Sequence, residues 1–365
     1  MSPAASSAGD PAAARLPAPA DPAAARLPAT ADPPAAPLLE LVNLKTHYPV
    51  RRGLTGWLAR APRRQVHAVD DISFSIARGE MVALVGESGC GKTTTAQTIM
   101  RMVQATSGSV RLSGTDVTRL SPRQMRPLRR RLQIIYQDPY ESLDPRFRVR
   151  QTIEEPMLVH GIGSSRSDRR ALILQALERA ELSPGELYLN RYPHELSGGQ
   201  RQRVAIAASL VLQPDLLVAD EPVSMLDVSV RASVLALLDR LRRDEAMGIL
   251  MITHDLSTAA HFADRIAVMY LGRIVEHGPA RQVVRSPQHP YTKALLSVVP
   301  KRDPRDRSTP QILTGETPNP VSIPPGCRFH PRCPIAEDQC TRTDPQLRQP
   351  RAGGHPDQHV ACLLA

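Results

Sequence analysis

Residues 81–93 restrict this chain more than any other stretch. Met81-Val-Ala-Leu-Val is a short apolar run that reads as a buried strand. It passes directly into Gly86-Glu-Ser-Gly-Cys-Gly91-Lys92-Thr93, which fits the pattern G-x-x-x-x-G-K-[ST], and a helical stretch follows. Glycines let the backbone curl until successive amides face one point, and the start of the helix adds its positive end. Such a cradle holds phosphate. Lys92 would reach the terminal phosphates of a nucleotide, and the hydroxyl of Thr93 would ligate magnesium. The expected contacts are Gly86, Glu87, Ser88, Gly89, Cys90, Gly91, Lys92, Thr93 and Thr94.

The rest of the chain supplies strands and helices in alternation. Leu39–Leu44, Ala68–Ile76, Leu216–Ala219 and Ile249–Thr253 read as strands. Ile266–Tyr270 and Arg273–Glu276 flank Leu271-Gly272 as a hairpin. Ser167–Leu182 has apolar residues at helical spacing, with Ser165 or Ser167 placed to cap it, and Arg231–Arg242 is a second helix. Short apolar strands alternating with helices predict an α/β fold with a mostly parallel, covered sheet. Leu216–Ala219 ends in Asp220-Glu221. An acid there can hold magnesium through water, and the next can polarise an attacking water.

Leu196-Ser-Gly-Gly-Gln200, followed by Arg201-Gln-Arg203, narrows the class. Ser-Gly-Gly opening a helix exposes free amides, a second anion site. These residues resemble the signature of ABC ATPases, and other motifs follow in the family's order. Gln137 resembles the lid glutamine, Ser224-Met-Leu-Asp227 the D-loop, and His254 the switch histidine. Tyr48 stands where the family places a ring against adenine. The resemblance implies a P-loop, RecA-like α/β core with an antiparallel β subdomain and a helical subdomain at about 139–206. It implies ATP and Mg2+ as cofactors, with Thr93, Gln137 and Asp220 around the metal. Glu221 would be the base, His254 would hold the γ-phosphate, and Lys92 and Gln137 would complete the catalytic set. Ser197, Gly198, Gly199, Gln200 and Asp227 would serve the nucleotide held by a second ATPase subunit. Met225 replaces the usual small Ala, and Ala208 stands where Arg is common. Cys90 lies close to a helix start, where a thiol can become reactive.

Further stretches are similar to the oligopeptide/dipeptide importer ATPases: Tyr136–Arg146, Asn190–Ser197, Glu221–Ser224, His289–Lys293 and Gly326–Pro334. That resemblance implies two membrane permeases seated near Gln137 and Tyr140, an extracytoplasmic solute-binding protein, and a peripheral place on the cytoplasmic face of the membrane. The loop from Arg51 to Arg64 is similar to an insertion in some of these subunits.

Composition sets the remaining bounds. The longest apolar runs are too short to span a bilayer, and the N-terminus has no signal pattern, so a cytosolic chain is expected. Residues 1–38 are rich in Ala and Pro, with Asp10–Ala18 repeated as Asp21–Ala29, and read as a disordered tail. The ATPase domain is expected over 39–296, and a Pro- and Arg-rich linker with a small separate extension over 297–365. The formal net charge of +10 gathers partly at Arg51–Arg64 and at Arg123–Arg131. Solvated faces, a membrane-proximal surface and a soluble ATPase acting on nucleic acid all accommodate it. Aromatic content of 3% leaves little for stacking on bases, and no nucleic-acid partner is expected. Cys327, Cys333, Cys340 and Cys362 follow the spacing x5, x6, x21. In a cytosolic chain this points to metal before disulfides, but the C-x2–4-C knuckle of zinc sites is missing. A [4Fe–4S] cluster, zinc (with His330, His355 and His359 near) and four unligated thiols remain open. Some importer ATPases that this chain resembles carry such a cluster here.

Overall fold

A computed structural model describes residues 36–50, 64–138, 142–299, 311, 313, 315–351 and 354–365. The repeat-bearing tail up to residue 35, the basic loop 51–63 and Tyr140 lie outside the described residues.

The chain enters through β1 (Leu39–Pro49), paired antiparallel with β2 (Gln65–Ile76). Leu38, Leu39, Leu41 and Leu44 are buried, so packing begins at the last residue assigned to the tail. Then β3 (Met81–Val85) opens a second sheet, and α1 (Lys92–Ile99) follows the glycine loop. The chain returns to the first sheet as β4 (Ser107–Leu112) and β5 (Thr115–Asp116), giving the order β2-β1-β4-β5. Next, α2 (Pro122–Arg131) is closed at its start by a reciprocal pair between Ser121 and Gln124 and leads into β6 (Leu132–Ile135).

A helical layer comes next. It holds α3 (Val149–His160), ended by Gly161 in the left-handed region, α4 (Arg166–Arg179), and α5 (Gly198–Leu210). Ser165 is the residue that caps α4, accepting from the amide of Asp168. The chain then alternates β7 (Leu216–Asp220), α6 (Val228–Glu245), β8 (Gly248–Thr253), α7 (Leu256–Phe262) and β9 (Arg265–Tyr270). The expected hairpin is present, with β10 (Arg273–Pro279) antiparallel to β9. Two helices, α8 (Ala280–Arg285) and α9 (Pro290–Ser297), and β11 (His359–Val360) complete the chain.

The larger sheet has the order β11-β10-β9-β3-β8-β7-β6 and is parallel from β9 to β6. All five residues of β3 are buried because both faces of the sheet are covered. Met81, Ala83 and Val85 join a core with the helical layer, whereas Val82 and Leu84 pack against β1 and β2. Parallel strands end along one edge. The loops after β3, β6, β7 and β8 therefore emerge together, at the place where open α/β sheets bind ligands.

The stretch after residue 315, expected as a separate extension, packs into the body instead. β11 extends the large sheet against β10, and Phe329 is buried against Tyr270 and Tyr291. Arg328 reaches Asp70 on β2 and donates to the Leu271 carbonyl at 2.6 Å. Part of the basic surplus is likewise spent internally, since Arg78 and Arg131 both bind Asp215.

Burial alone would raise the pKa of Asp70, but the bond and charge of Arg328 and the bond from His47 outweigh it and lower it to about 2. An acid depressed in the folded state stabilises the fold above its unfolded value and loses that contribution as pH falls through its folded value. Wild type should therefore exceed the Asp70→Asn variant by about 2 kcal/mol at pH 6, with the two converging as pH falls from 4 to 2. Urea unfolding of both chains across that range checks this. A gap that stays constant to pH 2 contradicts it.

Candidate functional site

Four loops meet at the edge just described. The first is the glycine loop. Gly91 has φ +112, and a Cβ there would come within 2.0 Å of the Ala68 carbonyl oxygen, so only glycine fits. Lys92 is buried, and its Nζ donates to the carbonyls of Gly86 at 2.7 Å and Glu87 at 2.9 Å. A cleft of about 300 Å³ opens above it, lined by Ser88, Gly89, Gly91, Lys92, Thr93, Thr94, Gln137 and Glu221. Loop amides, one lysine and a hydroxyl make this an anion site suited to a polyphosphate.

The second loop brings acids. Thr93 Oγ1 lies 3.5 Å from Asp220 Oδ1. Burial first, and then the neighbouring Glu221, push the Asp220 carboxyl above its ordinary value. A buried acid beside a hydroxyl and a second acid is eased by a hard cation, and these oxygens suit Mg2+. Glu221 has φ +47, a costly conformation for a residue with a side chain and one that clusters at functional sites.

The third and fourth loops converge on Glu221. Its Oε2 accepts from Gln137 Nε2 at 3.3 Å and shares a hydrogen bond with His254 Nδ1 at 3.2 Å. The sequence separates Gln137, Glu221 and His254 widely, yet the parallel strands place a carboxylate, an amide and an imidazole at one point beside Thr93.

The signature residues stand elsewhere. None of Ser197–Gln200 lines the Lys92 cleft. Ser197 caps α5, its Oγ accepting from the Gln200 amide at 3.3 Å while Gln200 Oε1 accepts from the Ser197 amide at 3.0 Å. The amides of Gly198 and Gly199 take no partner among the described residues. A Cβ on Gly199 would meet Val230 of α6 at 2.4 Å, which ties the signature to the segment that carries Asp227. Asp227 begins α6, exposed and without a side-chain cap bond.

Comparison with known proteins agrees with this geometry. The family described as "ABC transporter" matches residues 69–224, and "Oligopeptide/dipeptide transporter, C-terminal region" matches 275–340. The Escherichia coli dipeptide transport ATP-binding protein DppF is 44% identical over 327 residues, 90% of this chain and 94% of DppF. This chain belongs to the ABC transporter family. A putative oligopeptide transport ATP-binding protein, YkfD of Bacillus subtilis, is 45% identical over 330 residues, 90% of this chain and 95% of YkfD. Among solved structures, the bacterial ABC transporter cassette MJ0796 aligns with a TM-score of 0.58 at 28% identity, covering 67% of this chain and 99% of that one. The fold is therefore the ABC ATPase cassette, and the nucleic-acid alternative is not favoured.

The structure places several of the residues expected at the site of this ABC ATPase off the cleft lining. Glu87, expected to face the nucleotide, does not line the cleft, because Arg332 and Thr317 hold its carboxylate. Gly86 and Cys90 lie beneath the loop, where a Cβ on Gly86 would strike the Met269 carbonyl oxygen at 2.2 Å. Tyr48 is paired with Val66, which lines the cleft, but is not itself in the lining. Sequence reasoning missed Val66, Ala68 and Pro320, which form one wall and belong to no local motif. Met225, at the family's small position, is 64% exposed at a wider opening shared with Thr93, Gln137 and Asp220.

Cys327, Cys333, Cys340 and Cys362 lie in one region of the fold, near enough for the other three to act on Cys327. Burial pushes the Cys327 thiol up to about 11, with further contributions from Cys340, Cys362 and Cys333. Among the described residues only His47, His67 and Asp70 bring three potential metal ligands within 4.8 Å of one another. Asp70 is already paired there with Arg328 and Lys45, which leaves a cation little to gain.

No described helix is long and apolar enough to cross a membrane. The reactivity open to Cys90 is not supported. The residue is 1% exposed, and burial raises the pKa of its thiol despite Lys92 nearby. Iodoacetamide at pH 8 should modify Cys90 at least about tenfold more slowly in the folded chain than in urea. Mass spectrometry of the peptide containing residue 90 reads this, and equal rates contradict it.

Proposed function

We propose that this chain hydrolyses ATP to drive an importer of di- or oligopeptides from the cytoplasmic face of the membrane. The observation that carries the reading is the meeting of Gln137, Glu221 and His254 beside the loop at Lys92. The family extension after residue 275 and peptide-import relatives support the choice of cargo.

The mechanism follows from the chain's own residues. Loop amides and Lys92 bind and orient the phosphates, which supplies most of what phosphoryl transfer needs. Thr93 and Asp220, with Gln137 adjacent, would hold Mg2+, which neutralises phosphate charge when bound. Glu221 accepts a proton from the attacking water, and Gln137 and His254 fix its carboxylate for that task. The free amides of Gly198 and Gly199 form a second anion site away from this chain's own cleft, fitted to close the cleft of a second ATPase subunit. Closure and reopening of that pair would move two permease subunits, with cargo delivered by a solute-binding protein outside.

We propose a [4Fe–4S] cluster for the four C-terminal thiols, because four thiolates suit such a cluster and the C-x2–4-C knuckle of zinc sites is missing. Cys327, Cys333, Cys340 and Cys362 would hold the cluster. Anaerobically purified protein should contain about four iron and four acid-labile sulfide per chain. Colourless protein without either overturns this reading.

Within the assembled importer, Glu221→Gln should lower ATP turnover by about 10²- to 10⁴-fold while ATP is still bound. Phosphate release and nucleotide binding, measured on the same preparation, read the two separately. Normal turnover removes Glu221 from the role of base.

A further inference from the structure

Glu87 is an acid inside an anion-binding loop. A triphosphate carries several negative charges, and a free carboxylate directly after Gly86 would oppose them at short range. Its neighbours Ser88 and Gly89 line the cleft, but Glu87 does not.

A clamp from far along the chain holds it aside. Arg332 Nη1 donates to Glu87 Oε2 at 2.8 Å, and Nη2 donates to Oε1 at 3.2 Å. Both prongs of the carboxylate are therefore engaged, in the geometry that suits arginine and not lysine. Thr317 Oγ1 donates to Oε2 at 2.9 Å and accepts from Arg332 Nη1 at 3.2 Å. The Glu87 amide donates to the Tyr291 hydroxyl at 2.9 Å, and its carbonyl accepts from Lys92 Nζ. The Arg332 side chain is only 8% exposed and lies over the Tyr270 ring, which packs on Tyr291 and Phe329. Between Thr317 and Arg332, the Pro320 carbonyl accepts from the His67 amide at 3.0 Å and joins the wall of the cleft.

We infer that Arg332 is a positioning residue of the ATP site, acting through Glu87 and assisted by Thr317. It turns the Glu87 carboxylate away from the bound phosphates, cancels its charge and fixes the loop that presents Lys92. The segment after residue 315 is then a working wall of the nucleotide site. The inference rests on the reading of the Lys92 cleft as an ATP site. Burial favours the neutral form of Glu87, but its bonds to Arg332 and Thr317 outweigh that and hold it below the ordinary carboxylate value, so a charge is there to be cancelled.

The test is Mg-ATP affinity of the full chain by calorimetry, with the melting temperature of the nucleotide-free chain as control. Arg332→Gln should bind about tenfold more weakly, with a lower melting temperature because Glu87 loses its buried partner, while staying folded at the assay temperature. Arg332→Lys should fall between that variant and wild type. Adding Glu87→Gln to Arg332→Gln should recover most of the loss, because the repelling charge is gone, a rescue that a merely structural arginine would not show. If Arg332→Gln does not fold, Glu87→Gln alone decides: affinity at or above wild type supports the clamp, and a tenfold loss overturns it. Wild-type affinity in Arg332→Gln, or a double variant no better than Arg332→Gln, also overturns it. If wild type itself fails to bind Mg-ATP, the ATP-site reading falls and takes the inference with it.

Discussion

The glycine loop touches both sheets at once, and the site depends on that contact. The backbone of Gly91 approaches the Ala68 carbonyl oxygen of β2 so closely that a single added carbon would collide. On its other side the loop presses on β9, through Gly86 against Met269. The Gly272 amide, between β9 and β10, donates to the Cys90 carbonyl at 2.8 Å. Curvature of the phosphate cradle is therefore set by strands of the small and large sheets together. Any shift between the two sheets reaches the amides directly, because packed interiors transmit displacement instead of absorbing it.

The edge that carries the candidate site follows from strand direction. Parallel β3, β6, β7 and β8 end side by side, so four loops remote in sequence deliver Lys92, Gln137, Glu221 and His254 to one place. The strain at Glu221 is sustained there by its amide, which donates to the Ile252 carbonyl at 2.9 Å, and by the Ser224 amide, which donates to its carbonyl at 3.2 Å. Rigid strands on either side hold a residue in a conformation it would not choose alone.

What could be read in the sequence was what chemistry ties to fixed spacing. Gly86–Thr93, Leu196–Gln200 and Asp220-Glu221 are each local because the amides, hydroxyls or acids of one motif must present themselves together within one turn of chain. Strand and helix positions were also legible, from apolar runs bounded by turns. The wall formed by Val66, Ala68 and Pro320 was not, since no periodicity marks a residue that only abuts a cleft. The segment after residue 315 looked separate because it is rich in proline and short of regular elements. Its attachment rests on a few long-range bonds, such as Arg328 with Asp70 and Gln358 with Glu276, that leave no local trace. Cys90 misled for a similar reason: nearness to a helix start is visible in sequence, and burial is not.

The bond between Arg332 and Glu87 spans 245 residues, and it orders events in time. A ribosome delivers Lys92, Gln137, Glu221 and His254 before it reaches Thr317 and Arg332. The countercharge we assign to Glu87 thus comes from a part of the chain made well after the glycine loop itself.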